Sequence, residues 1–185
     1  MPAKSLKLTP VDRIFTRLGA SDRILESKST FFVEMEETQQ ILKYATQNSL
    51  VILDELGRGT STFDGYSIAH AVLKHLLRRR CLTLFATHFH MLLEDFRDVT
   101  PCYHMSFKRE PGDKEHCIRM LYKFIEGECP ESFGLNIAVM AGLPQKVIKL
   151  AKVKSDEFMK DVKVKACGHV TSIKKDSAKK ADHLI

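Results

Sequence analysis

Four apolar residues in a row, Leu50-Val51-Ile52-Leu53, run straight into two acids, Asp54-Glu55, and then into the polar stretch Gly57-Arg58-Gly59-Thr60-Ser61. A short, unbroken apolar run predicts a buried strand over 50–54. Cys81-Leu82-Thr83-Leu84-Phe85-Ala86 repeats the pattern, predicts a second buried strand and ends at Thr87-His88. Between the two, Ile68, Ala71, Val72, His75 and Leu76 recur at helical spacing, with Asp64 expected as the N-cap and the end near Arg79. Strand, helix and strand with short connections make a βαβ unit, so the sheet is expected to be parallel. Upstream, residues 4–25 read as a short strand followed by a loop. Phe32, Met35, Ile41, Leu42 and Ala45 then predict a helix that either Ser29 or Thr30 can cap and that Asn48-Ser49 ends.

The downstream third reads differently. A short helix is expected over Met91 to Phe96. Tyr103 to Lys108 and Ile118 to Phe124 predict two strands flanking Pro111-Gly112-Asp113-Lys114, a hairpin. A helix is expected from Ser132 to Ala141. After the turn Gly142-Leu143, Pro144 occupies the first position of a second helix reaching about Lys160. Val147, Ile148, Leu150, Ala151, Val153 and Phe158 give that helix an apolar stripe. Such a helix-turn-helix suits DNA reading, and it equally suits two helices packed on a protein surface. Beyond Lys160 apolar periodicity fades, and disorder is expected.

A chain of 185 residues supports one full core with a small appendage. No apolar run approaches the ~20 residues that span a bilayer, so no membrane association is expected. The first residues lack the apolar core of a signal peptide. The five cysteines are widely spaced with no Cys-x-x-Cys, which suggests neither a zinc ribbon nor a disulfide framework, and free intracellular thiols are expected. The net charge of +6 is uneven: from Lys160 onward seven lysines face three aspartates. Such a tail can touch phosphate backbones or be a solvated chain end.

The candidate chemistry gathers where strands end. Open α/β sheets bind ligands at the C-terminal edge. In nucleotide hydrolases the first acid of such a pair holds Mg²⁺ and the second orients the attacking water. Two adjacent carboxylates repel unless a cation or proton lies between them. Thr87-His88 suits a γ-phosphate or its water, and also reads as a plain polar cap. The Ser29-Thr30 helix start offers free N–H groups to an anion. Together these pieces suggest a nucleotide γ-phosphate site.

On these residues the chain resembles the C-terminal ATPase domain of the MutS mismatch-repair family. The matching runs are Leu8 to Ala20, Ser29-Thr30-Phe31-Phe32-Val33-Glu34-Met35, Asp54 to Gly65, Phe85-Ala86-Thr87-His88 and Ser132-Phe133-Gly134, in order, over roughly residues 4–160. Pro2-Ala3, Thr9-Pro10-Val11-Asp12 and Leu121 to Ile125 look most like the eukaryotic MutS homologue six subfamily. The resemblance implies an α/β fold, part of an ABC/P-loop-type ATPase domain with a parallel sheet, followed by a C-terminal helix-turn-helix. It implies three regions: ATPase over 1–127, a dimerising helix-turn-helix over 128–160 and a basic tail over 161–185. It implies ATP and Mg²⁺, with Asp54 as the metal ligand and Glu55 and His88 as catalytic residues. Ser29, Thr30, Arg58 and Thr87 would contact nucleotide or couple two sites across a dimer. The implied partners are a MutS homologue two-type subunit of a nuclear heterodimer and mismatched double-stranded DNA.

One departure is large. ATPases of this class cradle phosphates in a Gly-x-x-x-x-Gly-Lys-Ser/Thr loop, and no such run occurs in the 185 residues. The expectation is a C-terminal fragment inactive by itself. The competing expectation is a non-catalytic interaction module that docks on a MutS-type partner.

Overall fold

The computed structural model describes residues 5, 7–19, 29–109, 118–130 and 132–158. By its internal contacts the chain divides into two compact units, Met1–Thr100 and Pro101–Ile185. The hairpin strands thus fall in the second unit with the helices that follow them.

The first unit is a parallel α/β layer. Strand β1 (Ile14–Arg17) leads to helix α1 (Thr30–Tyr44), β2 (Leu50–Asp54), α2 (Thr62–Arg79), β3 (Leu82–Ala86) and α3 (His90–Phe96). The strands lie in the order β1-β2-β3, all parallel. Two right-handed crossovers that step the same way along a sheet put both helices on one face. Val51 and Leu53 of β2 point to that face and pack against Ile41 of α1, Ala45 just past its end, and Val72 and Leu76 of α2. A second cluster, Ala69 and Leu73 with Phe89, Leu92 and Phe96, seats α3 on α2.

The opposite face is open. Ile14, Leu50 and Leu82 share one register row, and Thr16, Ile52 and Leu84 another. Ile14, Leu82 and Leu84 are 63%, 54% and 55% exposed. The expected buried strand over 81–86 is therefore only half-buried on one side, at Thr83 and Phe85, and exposed on the other. An apolar run records that both faces suit a core, not that both are covered.

Three helix expectations are also corrected. Ser29 caps α1, its hydroxyl oxygen accepting from the Phe32 N–H at 3.2 Å. The helix stops at Tyr44, four residues before Asn48, because Ala45 turns to extended backbone. Its buried side is Val33, Glu34, Thr38 and Ile41, whereas Phe32 is half exposed. Helix α2 is capped by Ser61, not Asp64. The Ser61 oxygen accepts from the Asp64 N–H at 3.2 Å, and its hydroxyl donates to the Asp64 carboxylate at 2.8 Å. Asp64 is thus the third helical residue, an acid in the first turn where the helix dipole favours it.

In the second unit β4 (Tyr103–Arg109) and β5 (Ile118–Glu126) pair antiparallel. Between the pairs Met105–Phe124 and Phe107–Met120 the β5 side carries two extra residues, a bulge at which Tyr122 takes φ +53°. Helix α4 (Gly134–Met140) follows, and residues 145–158 are helical (α5). The Pro144 carbonyl accepts from Val147 and Ile148, so Pro144 precedes the helix rather than opening it. The expected turn at 111–114 and the tail after Lys160 lie outside the described residues.

Candidate functional site

In a parallel layer every strand ends on the same edge, so Arg17, Asp54 and Ala86 mark one rim of the sheet. Asp54 ends β2 opposite Ala86 and is exposed. Among the described residues its carboxylate has no hydrogen bond or ion pair. Glu55 follows with φ +51°, a left-handed conformation that costs a non-glycine residue of order 1 kcal/mol. It is held there from both sides. Its N–H donates to the Ala86 carbonyl at 3.0 Å, and its carbonyl accepts from the Arg58 N–H at 3.3 Å.

The loop beyond is anchored rather than loose. Leu56 is completely buried in the core between β2 and the helices. Gly57 takes φ +90°, and a Cβ there would lie 2.5 Å from the Gly65 carbonyl oxygen. A Cβ on Gly65 would meet the Gly57 oxygen at 2.2 Å. The loop backbone and the first turns of α2 thus touch directly, which only two glycines permit.

Helix α1 clamps the same loop from its other side. Glu34 is 3% exposed, and its Oε1 accepts the Gly57 N–H at 2.6 Å. Its Oε2 lies 3.5 Å from the buried Arg17 guanidinium, and Arg17 Nε lies 3.2 Å from Glu37. That last contact is within ion-pair distance but not aligned as a hydrogen bond, so the Nε–H stays unbonded. Arg17 also donates to the Gly19 carbonyl. A buried carboxylate is tolerated only when charge and acceptor positions are matched in this way.

The predicted site residues fall into three groups. Asp54, Glu55 and Arg58 are together: Arg58 reaches back and donates to the Glu55 carboxylate, with both side chains well exposed. An exposed pair of this kind is worth little in stability, and it occupies Glu55 without fixing it. Thr87 and His88 follow β3 on the same rim. The Thr87 hydroxyl oxygen accepts from the Phe89 N–H at 3.0 Å, and the exposed His88 ring lies 4.3 Å from the ring of buried Phe89. Ser29 and Thr30 open α1, whose first turns meet the loop where Gly59 faces the Phe31 Cβ. Sequence reading gave no role to Glu34 or Arg17, and it placed Ser61 in the loop Arg58 to Thr62 expected to cross a dimer interface, not as the cap of α2. The signal for Glu34 was its place in the stripe 34, 38, 41, 45, which is buried throughout.

The arrangement is an open carboxylate rim. Among the described residues no group of three or more His, Cys, Asp or Glu side chains is placed to hold a metal. Mg²⁺ needs no such cage, since it binds through one or two carboxylates with phosphates and water completing the shell. Asp54, unpartnered among the described residues and next to a second acid, fits that mode.

The family model for MutS domain V matches residues 1–159. The DNA mismatch repair protein Msh6 of Homo sapiens is 51% identical over 166 residues, covering 86% of this chain and 12% of that protein. Msh6 of Gallus gallus is 50% identical over the same length and shares. The DNA mismatch repair protein msh3 of Aspergillus oryzae is 46% identical over 201 residues, covering all of this chain and 17% of that protein. The chain thus spans about an eighth of the length of the Msh6 relatives. On the family model and these identities together, the chain belongs to the MutS family of DNA mismatch repair proteins and carries sequence of its domain V.

Proposed function

We propose that this chain contributes the acidic rim and the serine-capped helix of a MutS-type ATPase that serves mismatch repair on double-stranded DNA in the nucleus. The observation that carries the reading is the contrast at the end of β2. Among the described residues Asp54 has no partner for its carboxylate, while the backbone of Glu55 is fixed in a costly conformation directly beside it. ATP with Mg²⁺ would supply the scissile phosphoanhydride and the charge that keeps two adjacent carboxylates ionised. Asp54 would hold the cation, Glu55 would orient or deprotonate the attacking water, and His88 would hydrogen-bond the γ-phosphate or that water. Ser29 and Thr30 would present a helix N-terminus to phosphate, with Arg58 and Thr87 completing the nucleotide contacts. The phosphate cradle is not in these 185 residues. The chain alone is therefore expected to bind ATP more weakly than ~1 mM, since carboxylate–metal and hydroxyl contacts supply only about 4 kcal/mol. Calorimetry with Mg-ATP tests this, and micromolar binding overturns it.

The decisive experiment is a chimera in which this chain replaces the matching segment of the human Msh6 relative. Glu55→Gln in that chimera is expected to keep ATP binding and slow single-turnover hydrolysis ~10²-fold or more. Hydrolysis at the unmutated rate removes Glu55 from its role.

A second reading has its own observation. Helices α4 and α5 expose Ile137, Leu150, Val153 and Phe158, the last three at 72%, 56% and 67%. An apolar helical pair of this kind suits docking on a MutS homologue two-type subunit, with or without catalysis. Deleting residues 132–160 should then weaken partner capture without altering DNA affinity. The salt series separates the cases, because phosphate binding falls steeply with salt and apolar docking does not. Loss of a salt-sensitive DNA interaction with partner capture intact would assign the pair to DNA.

A further inference from the structure

The nearly dry Glu34 carboxylate is hard to explain as packing. Its helical neighbours Val33, Thr38 and Ile41 are buried too, and an apolar residue at 34 would complete that side without desolvating a charge. What it does instead is specific. One oxygen takes the Gly57 N–H at 2.6 Å, the other faces Arg17 at 3.5 Å. A charge-assisted bond of that length is among the stronger and more directional contacts a backbone amide makes.

The loop it holds cannot yield elsewhere. Gly57 is backed by the Gly65 backbone, and a Cβ on Gly59 would lie 3.1 Å from the Phe31 Cβ and 3.4 Å from Glu34 Oε2. The loop is thus gripped between the first turns of α1 and of α2. Gly57 stands two residues after Glu55, whose left-handed backbone persists only if its surroundings hold it. Ser29 caps the same α1 that carries Glu34. We infer that Glu34 is a positioning residue: through the Gly57 N–H it ties the serine-capped end of α1 to the loop that sets Glu55. A displacement of α1 on contact with phosphate would then be passed to Glu55, and the water-directing acid would be aligned only when α1 is seated. Glu34 touches neither nucleotide nor water in this scheme.

The inference rests on the proposed role of Glu55, so both are tested together in the chimera. Single-turnover hydrolysis and ATP affinity are measured for Glu34→Ala, Glu34→Gln and Glu55→Gln. Glu34→Ala is expected to slow hydrolysis ~10–100-fold, the cost of a misplacement of about 1 Å, with ATP affinity within about twofold of the parent. Glu34→Gln keeps an acceptor oxygen at the same reach and is expected to restore the rate to within about threefold. A purely structural role predicts no such rescue and a parallel loss of bound ATP. If Glu34→Ala does not fold, Arg17→Met with Glu34→Leu removes the buried pair as a unit, a replacement that cores tolerate. That variant is expected to hydrolyse as slowly as the alanine variant was meant to. Parent-like hydrolysis in either folded variant, with Glu55→Gln slow, overturns the inference alone. Parent-like hydrolysis in Glu55→Gln overturns the site reading and the inference with it.

Discussion

Asp12 and Asp54 stand at opposite ends of one three-stranded sheet, and their surroundings are opposite too. Asp12 lies just before β1. One of its oxygens accepts from the Ser49 hydroxyl at 2.7 Å, the other from the Thr46 hydroxyl, and its N–H donates to the Asn48 carbonyl at 3.1 Å. Those two hydroxyls hold its carboxyl below the usual carboxylate range, despite some opposing desolvation. Asp54, at the other rim, has none of this among the described residues. A carboxylate saturated by its own loop ties strand entries together, whereas one left open keeps its acceptor capacity for something the chain does not supply. The two ends share strand type and twist, so the difference lies in the loops.

The contrast can be broken experimentally, and the largest effect is expected at the open rim. In the chimera Asp54→Asn should shift the Mg²⁺ dependence of hydrolysis, and Glu55→Gln should cost ~10²-fold in rate. Neither should move the urea midpoint of unfolding, because neither side chain holds the fold. A drop in midpoint comparable to that of a core mutant would erase the distinction between the two rims.

At the closed end the expectation reverses. Ser49 is fully buried, donates to Asp12 and accepts from the Thr46 N–H at 2.9 Å. Ser49→Ala should cost ~1–2 kcal/mol by urea unfolding, the price of stranded buried partners, and leave hydrolysis in the chimera unchanged. A rate loss without a stability loss would show that the closed end also serves the chemistry.

A smaller effect sharpens the same point through pH. Because folding lowers the Asp12 pKa from 3.8, its contribution is present above that value and is lost as pH falls through the lower folded one. Acid titration of stability should therefore be shallower in Asp12→Asn than in the parent. Identical acid limbs would mean that the hydroxyl pair does not stabilise the ionised form.

The smallest effect concerns a third carboxylate of the closed kind. Asp95 accepts from the Tyr66 hydroxyl and lies 3.6 Å from His70, joining α3 to α2. That hydrogen bond, with desolvation and the negative charge of Asp95, pushes the Tyr66 phenol from 10.0 up to about 12. Its contribution is present below pH 10 and lost as pH rises through about 12. Ultraviolet titration should show one late-ionising tyrosine that Asp95→Asn returns towards the ordinary range. A phenol that ionises normally in the parent would remove Asp95 from the structural group.

What the sequence disclosed follows the same division. Strand β2 was legible to the residue, because an apolar run broken by two acids has few other readings, and β3 within one residue. The acidic rim was legible with them, since it is continuous with the strand. The cap of α2 was misassigned because Ser61 and Asp64, three apart, both favour helix starts, and which one accepts the amide is decided only by the backbone. Coverage of the sheet was not legible, because it depends on crossover direction rather than on any strand's own residues. The clamp on the loop was missed because a glutamate in an amphipathic helix reads as solvated. Only its phase relative to Thr38 and Ile41 placed it inside.

The contact between Gly57 and Gly65 reaches beyond mechanics into which sequences this domain can explore. Each glycine leaves no room for a methyl group on the other's backbone, so a change at one position has no remedy at the second. Drift cannot pass through a compensated pair, and both sites must stay fixed while neighbouring exposed positions such as Arg58 and Thr62 remain open to exchange as far as space is concerned. A saturation scan of residues 54–66 read out by folding should therefore return intolerance at both Gly57 and Gly65, eight residues apart, in addition to that of the buried Leu56. Their coincidence would report a backbone contact rather than a ligand.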